Sequence, residues 1–207
     1  MTWPNIRDDL KLFEGYHSPQ LAVDVRLNTN ESPLPPPDKW VDEIQKAVTT
    51  IEWNRYPDRH AFELVSQLAE FHGLQSNNVI PANGSNEIIQ SILLAYGGKN
   101  RSTIIFEPTY AMHAHIARIT GTRIISCDRG ESLLCESDEL ETLTTTKPNI
   151  IFLCSPNNPT GIIEPKETII SALEYCSKSG SLLVVDEAYG EFSNWSAIEL
   201  VENDAPI

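Results

Sequence analysis

Three polar residues follow two apolar segments that are typical of neighbouring buried strands. Asn158 comes shortly after the apolar run 150–154. Asp186 and Tyr189 come directly after the run 182–185. A helix-length segment separates the runs, so the strands should be parallel and end at one edge of a sheet, where open α/β sheets bind ligands. A carboxylate there is costly unless a cationic or hydrogen-bond-donating group meets it, so the pattern predicts a ligand site; a metal ligand or a helix cap is the alternative for Asp186.

Two further segments could contact the same ligand. Residues 83–87 place Gly84 and Ser85 where a short strand turns into a helix, and the N–H groups and dipole of a helix start favour an anion. The alternative is an ordinary capped helix. Tyr110 lies just past another strand end and could stack on a ring, although a tyrosine in the first turn of a helix often only packs there.

Strands and helices alternate along most of the chain. The strands are nearly continuously apolar and rich in β-branched residues, as expected of a parallel sheet covered on both faces. The sequence therefore predicts an α/β fold with a three-layer αβα domain and a mostly parallel sheet. Asp38 is the expected N-cap of the first helix, and Gly73 the expected stop of the second. The predicted helices are 39–52, 60–72, 86–96, 109–119, 136–145 and 165–178, and the predicted strands are 79–81, 103–107, 122–127, 149–154 and 181–186.

Length and composition indicate one globular core. The chain has 207 residues with 41% hydrophobic content, which suffices for one large domain with an arm. Residues 1–37 are rich in Asn and Pro and predict an extended N-terminal arm, which leaves 38–207 for the large domain.

Net charge and cysteine spacing limit the cellular compartments and the classes of partner that are expected. The net charge of −14 disfavours nucleic acid and anionic membranes. No apolar run is long enough to span a bilayer, and no signal peptide is visible, so a cytoplasmic protein is expected. The four cysteines form no C-x-x-C pair, which favours reduced, buried thiols over disulfides or a zinc site.

Six motifs occur in one order along the chain. They are segments 27–33, 54–58, 82–87 and 106–113, the Asn-Pro-Thr-Gly segment 158–161, and segment 185–189. Their order and residues resemble histidinol-phosphate aminotransferase, a family of enzymes that use pyridoxal phosphate (PLP) and share the aspartate-aminotransferase fold. The resemblance covers the chain from about Tyr16 onward, and six motifs in order are far more specific than one. It implies a transaminase that interconverts histidinol phosphate plus 2-oxoglutarate with imidazole-acetol phosphate plus glutamate.

The resemblance implies a role for each residue around the PLP ring. Asp186 would meet the protonated pyridine nitrogen and keep it charged, which makes the ring an electron sink. Asn158 and Tyr189 would reach the 3-oxygen of the ring. Tyr110 would stack on the face of the ring.

The resemblance also implies contacts to the phosphate and to the substrate. Ser85 and Asn86 would give backbone donors to the PLP phosphate. Tyr56 would reach the phosphate of the neighbouring subunit, which implies a homodimer with shared sites. Tyr16 and Asn30, in the arm, would lie near the phosphorylated substrate.

The sequence departs from the family pattern in the arm and at the end of the chain. In the arm, Ser32 and then Leu34-Pro35 stand where the family usually has Asn, then an aromatic residue and Gly. The next strand of the family ends in a Ser-Lys segment, but none of the lysines of this chain stands in that context. We therefore expect a large domain that is incomplete at its C-terminus, without the small C-terminal domain. The Schiff-base lysine is then absent, no catalytic residue is assigned, and the chain alone is expected to be inactive.

Two alternatives to an aminotransferase follow from the same residues. One is a PLP-fold fragment without catalysis that acts only in binding or dimerisation, which the missing lysine favours. The other is a related PLP-dependent decarboxylase of an amino-acid phosphate. The sequences of the arm and of segment 54–58 favour the aminotransferase over the decarboxylase.

Overall fold

A computed structural model describes residues 3–11, 15, 19, 21–201 and 205–207. The chain forms two compact units, one made of residues 16–81 and the other of residues 1–15 together with 82–207. The separation of an arm at residue 37 stays a prediction.

Helix α1 of the smaller unit is shorter than the sequence predicts. It covers Asp38–Val48, whereas the predicted helix was 39–52. The prediction of Asp38 as N-cap is wrong, because the helix begins at this residue and Pro37 precedes it with extended backbone. The helix ends early because the hydroxyls of Thr49 and Thr50 donate to carbonyls three residues earlier, at 2.7 and 2.8 Å, and so compete with the helical pattern.

Helix α2 covers Phe62–His72 and has defined caps at both ends. The Asp58 carboxylate accepts a hydrogen bond from the N–H of Phe62 at 2.7 Å, which satisfies one donor of the first turn. Gly73 ends the helix at a φ of +68°, as predicted from its type. The predicted strand 79–81 is wrong: a 3-10 turn covers 76–78 and no strand follows it. Pro81 lacks the N–H group that pairing in a sheet requires.

The larger unit contains a four-stranded parallel sheet with the order β2-β1-β3-β4. Its elements agree with the predicted ones to within two residues at each end. No helix in the described part of the chain is long and apolar enough to cross a membrane. The elements are α3 (Ser85–Tyr96), β1 (Ser102–Glu107), α4 (Ala111–Ile119), β2 (Arg123–Asp128), α5 (Ser137–Thr146), β3 (Ile150–Cys154), α6 (Lys166–Ser179) and β4 (Leu182–Asp186).

Alternate side chains of the central strands point into two separate hydrophobic cores. Ile105 and Phe152 belong to a core with residues of α3 and α4. Ile104 and Ile151 belong to the other core, with residues of α5 and α6. Because successive residues of a strand face opposite sides, two apolar faces require two helical layers. This confirms the predicted three-layer α/β architecture.

The side of β4 that faces away from β3 carries a contact from residues 205–207. The N–H of Leu183 donates to the carbonyl oxygen of Pro206 at 2.8 Å. Ile207 packs against the core beside α5 and α6. Residues 205–207 therefore cover part of this strand.

All four cysteines are free thiols, as expected from their spacing. Cys135, Cys154 and Cys176 are buried, and Cys127 is partly buried. Burial raises the pKa of Cys154 to about 11 and that of Cys176 to about 12. The buried thiols therefore stay protonated at neutral pH.

A buried ion pair joins three segments at the carboxyl edge of the sheet. The guanidinium of Arg129 donates to the Glu164 carboxylate, and both side chains are almost fully buried. Arg129 also donates from Nε to the carbonyl of Phe106 at 2.9 Å. Glu164 accepts from the N–H of Cys135 at 3.1 Å, and its own N–H donates to the hydroxyl of Ser155 at 3.0 Å. The pair thus fastens the end of β1 to the loops after β2 and β3.

We predict that Glu164→Gln lowers the free energy of unfolding by about 3–5 kcal/mol, because it leaves the buried Arg129 charge without its counter-ion. Urea unfolding followed by circular dichroism measures this loss. The double variant Arg129→Met with Glu164→Leu should recover most of it, since an apolar pair removes both charges.

Lys178→Met is the matched control, because Lys178 forms an exposed pair with Glu174 at 3.6 Å. Its effect should stay below about 1 kcal/mol. If Glu164→Gln costs no more than this control, the Arg129–Glu164 pair does not stabilise the fold as described.

Candidate functional site

A cavity of about 210 Å³ lies beyond the carboxyl ends of β3 and β4. This volume is below the ~300–1,000 Å³ of sites that enclose a whole small molecule. Five of the residues that the sequence singled out lie around the cavity, and their chemical roles stay predictions. The lining residues are Ser85, Tyr110, Cys154, Asn158, Asp186, Ala188 and Tyr189.

Asp186 supplies the buried anion of this cavity. It is the last residue of β4, lies opposite Cys154 of β3 and is 8% exposed. One carboxylate oxygen lies 2.9 Å from Nε2 of His113, and the other accepts the N–H of Ala188 at 3.1 Å. Burial alone would raise the pKa of Asp186, but the hydrogen bond and charge of His113, with the Ala188 N–H, hold this pKa below its usual range. The carboxylate is therefore ionised at neutral pH.

His113 is the residue that the sequence analysis missed. Its side chain is fully buried and stacks on Phe152 of β3 with ring centroids 4.6 Å apart. A carboxylate can only accept, so Nε2 of His113 carries the proton that it donates to Asp186. The signal was available: a buried aspartate needs a donor, and His113 follows Tyr110 by three residues, which places both on one side of a helix start.

Tyr110 connects the starts of α3 and α4. Its hydroxyl donates to Oδ1 of Asn86 at 3.2 Å. Its ring meets the His113 ring edge-on, with centroids 5.5 Å apart. The predicted ring-stacking residue is thus held from both ends, at the hydroxyl and at the ring edge.

The start of α3 has the form expected of an anion cradle. Gly84 has a φ of +84°, a backbone angle that residues other than glycine rarely adopt, and the helix begins at Ser85. The Glu87 carboxylate accepts from the backbone N–H of Asn83 at 2.7 Å and from its side-chain amide at 2.9 Å. These bonds fix the turn before the helix. The first N–H groups of a helix have no partner within it, so they can receive an anion.

Glu187 orders the chain beyond Tyr189. One oxygen of its carboxylate accepts from the N–H of Ala197 at 2.7 Å, and the other from the hydroxyl of Ser196 at 2.5 Å. The turn that carries Tyr189 is therefore tied to the segment that follows it.

Four predicted residues are not among those that line this cavity. Asn86 is one of them, and its Oδ1 accepts from the hydroxyl of Tyr110, which does line the cavity. Tyr56 and Asn30 belong to the smaller compact unit, so their relation to the cavity stays a prediction. Tyr16 lies outside the described residues. Within the described part of the chain, no group of three or more His, Cys, Asp or Glu side chains is placed to hold a metal ion.

The lowered pKa of Asp186 predicts how stability changes with pH. A carboxyl group with a depressed folded-state pKa stabilises the protein above its unfolded pKa of 3.8, and this contribution is lost as the pH falls through the folded value. The free-energy difference between wild type and Asp186→Asn should therefore be constant above about pH 5 and shrink below 3.8. Urea titrations between pH 7 and pH 3 measure it.

Asp128→Asn is the control for this series, because Asp128 ends the edge strand β2 and is exposed. A difference for Asp186→Asn that grows towards acid pH would contradict the ionised state of Asp186.

Comparison with known proteins identifies the family of this fold and site. Residues 22–206 match the family model described as aminotransferase class I and II. Histidinol-phosphate aminotransferases from Corynebacterium diphtheriae and Frankia casuarinae are 41% and 44% identical to this chain over 96% and 90% of its length. The matches cover 56% and 50% of those proteins, so the chain spans about half the length of the curated relatives it matches.

A solved structure agrees with this assignment at the level of the fold. The aspartate aminotransferase of Thermotoga maritima superposes with a TM-score of 0.73 at 19% identity. The match covers 84% of this chain and 49% of that protein. Because the family match extends over most of the sequence, the chain belongs to the class I and II aminotransferases.

Proposed function

We propose that this chain forms the cofactor-binding part of a PLP-dependent histidinol-phosphate aminotransferase. The observation that carries the proposal is the buried Asp186, hydrogen-bonded to His113, at a cavity that Asn158 and Tyr189 also line. The names of the relatives support histidinol phosphate as the amino substrate. We propose 2-oxoglutarate as the amino acceptor, with imidazole-acetol phosphate and glutamate as products. The whole reaction is proposed for an enzyme of the relatives' full length.

The groups around the cavity fit the ring of PLP. Asp186 accepts two hydrogen bonds from the protein, and a carboxylate has further lone pairs for a third donor such as a protonated pyridine nitrogen. Asn158 and Tyr189 offer an amide and a hydroxyl for the 3-oxygen of the ring. Tyr110 offers an aromatic face.

The start of α3 fits the phosphate of the cofactor. On a chain with a net charge of −14, a dianion needs local donors to bind. Ser85 and Asn86 would supply them from the backbone N–H groups of the first turn, aided by the helix dipole. The hydroxyl of Ser85 adds one more donor.

Asp186 and His113 would divide the electrostatic work at the ring. When bound, PLP supplies a conjugated ring that accepts the electron pair released at the α-carbon of the amino substrate. An ionised Asp186 favours the protonated ring nitrogen on which this capacity depends. His113 holds the carboxylate through its Nε2–H, and the stacking of its ring on Phe152 fixes the direction of this hydrogen bond.

The remaining proposed contacts involve residues outside the cavity lining. Tyr56 would reach the PLP phosphate of a neighbouring subunit in a homodimer. Asn30 and Tyr16 would contact the phosphorylated substrate. A cytoplasmic location remains part of the proposal.

No lysine belongs to the cavity lining formed by the described residues. Lys147 and Lys178 line a different depression, at the amino ends of β3 and β4. Lys166 pairs with Glu199 at 3.1 Å. We infer that the Schiff-base lysine does not come from these residues. This observation also favours the second candidate function, a protein that holds the cofactor without transamination.

We predict that the 207-residue chain alone forms no specific covalent adduct with PLP and transfers no amino group. The chain is incubated with PLP, reduced with borohydride, digested and analysed by mass spectrometry, and glutamate-dependent turnover is assayed in parallel. The expected result is low-level labelling spread over exposed lysines, as in a urea-unfolded control. Stoichiometric labelling of one lysine, accompanied by turnover, would overturn the prediction.

We predict that Asp186→Ala weakens the binding of pyridoxamine 5'-phosphate to the chain by about tenfold or more, because it removes a charge-assisted hydrogen bond. Pyridoxamine phosphate has no aldehyde, so surface lysines cannot capture it. Titration calorimetry measures the Kd. Asp128→Ala removes an exposed carboxylate at the end of β2 and should leave the Kd unchanged; equal effects of the two variants would remove Asp186 from the site.

A further inference from the structure

Two loops at the carboxyl edge of the sheet carry residues of the proposed site. The loop after β1 leads into Tyr110, and the loop after β3 carries Asn158. Asn157 lies between these loops and is 2% exposed, whereas Asn158 is only partly buried. Asn158 has a role predicted from the sequence, whereas Asn157 has none.

Every polar atom of the Asn157 side chain is used between the two loops. Its Nδ2 donates to the carbonyl of Pro108 and to the hydroxyl of Thr160, both at 2.9 Å. Its Oδ1 accepts from the hydroxyl of Thr109 at 2.9 Å. A carbonyl oxygen only accepts, so the contact with Pro108 requires Nδ2 on that side and fixes the orientation of the amide.

The backbone of Asn157 closes its own loop as well. Its N–H donates to the carbonyl of Ile162 at 2.8 Å, and its carbonyl accepts from the N–H of Gly161 at 2.7 Å. The side chain thus reaches the neighbouring loop from a backbone that is itself held in place.

From these contacts we infer that Asn157 is a positioning residue that sets the placement of Tyr110 relative to Asn158. The inference rests on the proposed function, since it concerns the ring-stacking and ring-oxygen contacts. Thr109 directly precedes Tyr110, and Asn157 directly precedes Asn158. A shift in the contact between Thr109 and Asn157 therefore moves both Tyr110 and Asn158. Loss of the amide leaves the buried carbonyl of Pro108 without its donor, which favours separation of the loops.

A purely structural asparagine is available for comparison on the same pair of strands. Oδ1 of Asn149 accepts from the backbone N–H of Ser102 at 2.9 Å, at the amino edge of the sheet. This bond also links β1 and β3, but at the opposite end from the cavity. Asn149→Ala therefore matches Asn157→Ala in chemistry and differs from it in place.

The first measurement needs no ligand. Hydrogen–deuterium exchange of the full chain compares wild type, Asn157→Ala, Asn149→Ala and Thr109→Val, in peptides that cover residues 107–112 and 155–163. Asn157→Ala should speed exchange about tenfold in both segments, and Asn149→Ala in neither. Thr109→Val is nearly isosteric and keeps the inference testable if Asn157→Ala does not fold. Thr109→Val should speed exchange in the opposite loop, in residues 155–163. Faster exchange confined to the mutated loop would show that Asn157 does not hold the two loops together.

The second measurement is the Kd of pyridoxamine 5'-phosphate for the same variants. Asn157→Ala should raise it about tenfold, while Asn149→Ala should leave it within about twofold. An unchanged Kd in Asn157→Ala would overturn the positioning role. If the wild-type chain does not bind pyridoxamine phosphate, the proposed function fails, and the exchange across the two loops still decides whether Asn157 joins them.

Discussion

A carboxylate at the end of a buried strand needs a donor, and Asp186 obtains one from a helix on the other side of the central strand. In the order β2-β1-β3-β4, strand β3 lies between β1, which precedes α4, and β4, which carries Asp186. His113 of α4 reaches Asp186 by lying flat on Phe152 of β3. The aromatic contact therefore spans the middle of the sheet, and the position of α4, with Tyr110 at its start, depends on it.

At the carboxyl edge of the sheet, other buried polar side chains also join segments that are far apart along the chain. A buried charge pair, Arg129–Glu164, joins the ends of β1 and β2 to the loop after β3. A buried amide, Asn157, joins the loops after β1 and β3. Because parallel strands are joined only through their crossovers, the loops at one edge have no covalent link to each other. Buried polar side chains supply the missing links.

The sequence predicted most of the sheet because its strands are short apolar runs between helix-length segments. It also predicted that Asn158, Asp186 and Tyr189 would end neighbouring strands, since parallel strands share an edge. The sequence did not reveal the residues whose role depends on a partner far along the chain. His113 and Asp186 are 73 residues apart, and Arg129 and Glu164 are 35 residues apart. The predicted strand 79–81 failed for a local reason, the missing N–H of Pro81.

The contact between Leu183 and Pro206 shows how the side of β4 that faces away from β3 is satisfied. A strand presents N–H and C=O groups along both of its sides, and each group needs a partner wherever water is excluded. The carbonyl of Pro206 supplies that partner to Leu183, and Ile207 packs on the core below. Residues 205–207 thus lie along β4 through one backbone bond and one apolar contact, so the hydrogen bonding of the sheet continues beyond its fourth strand.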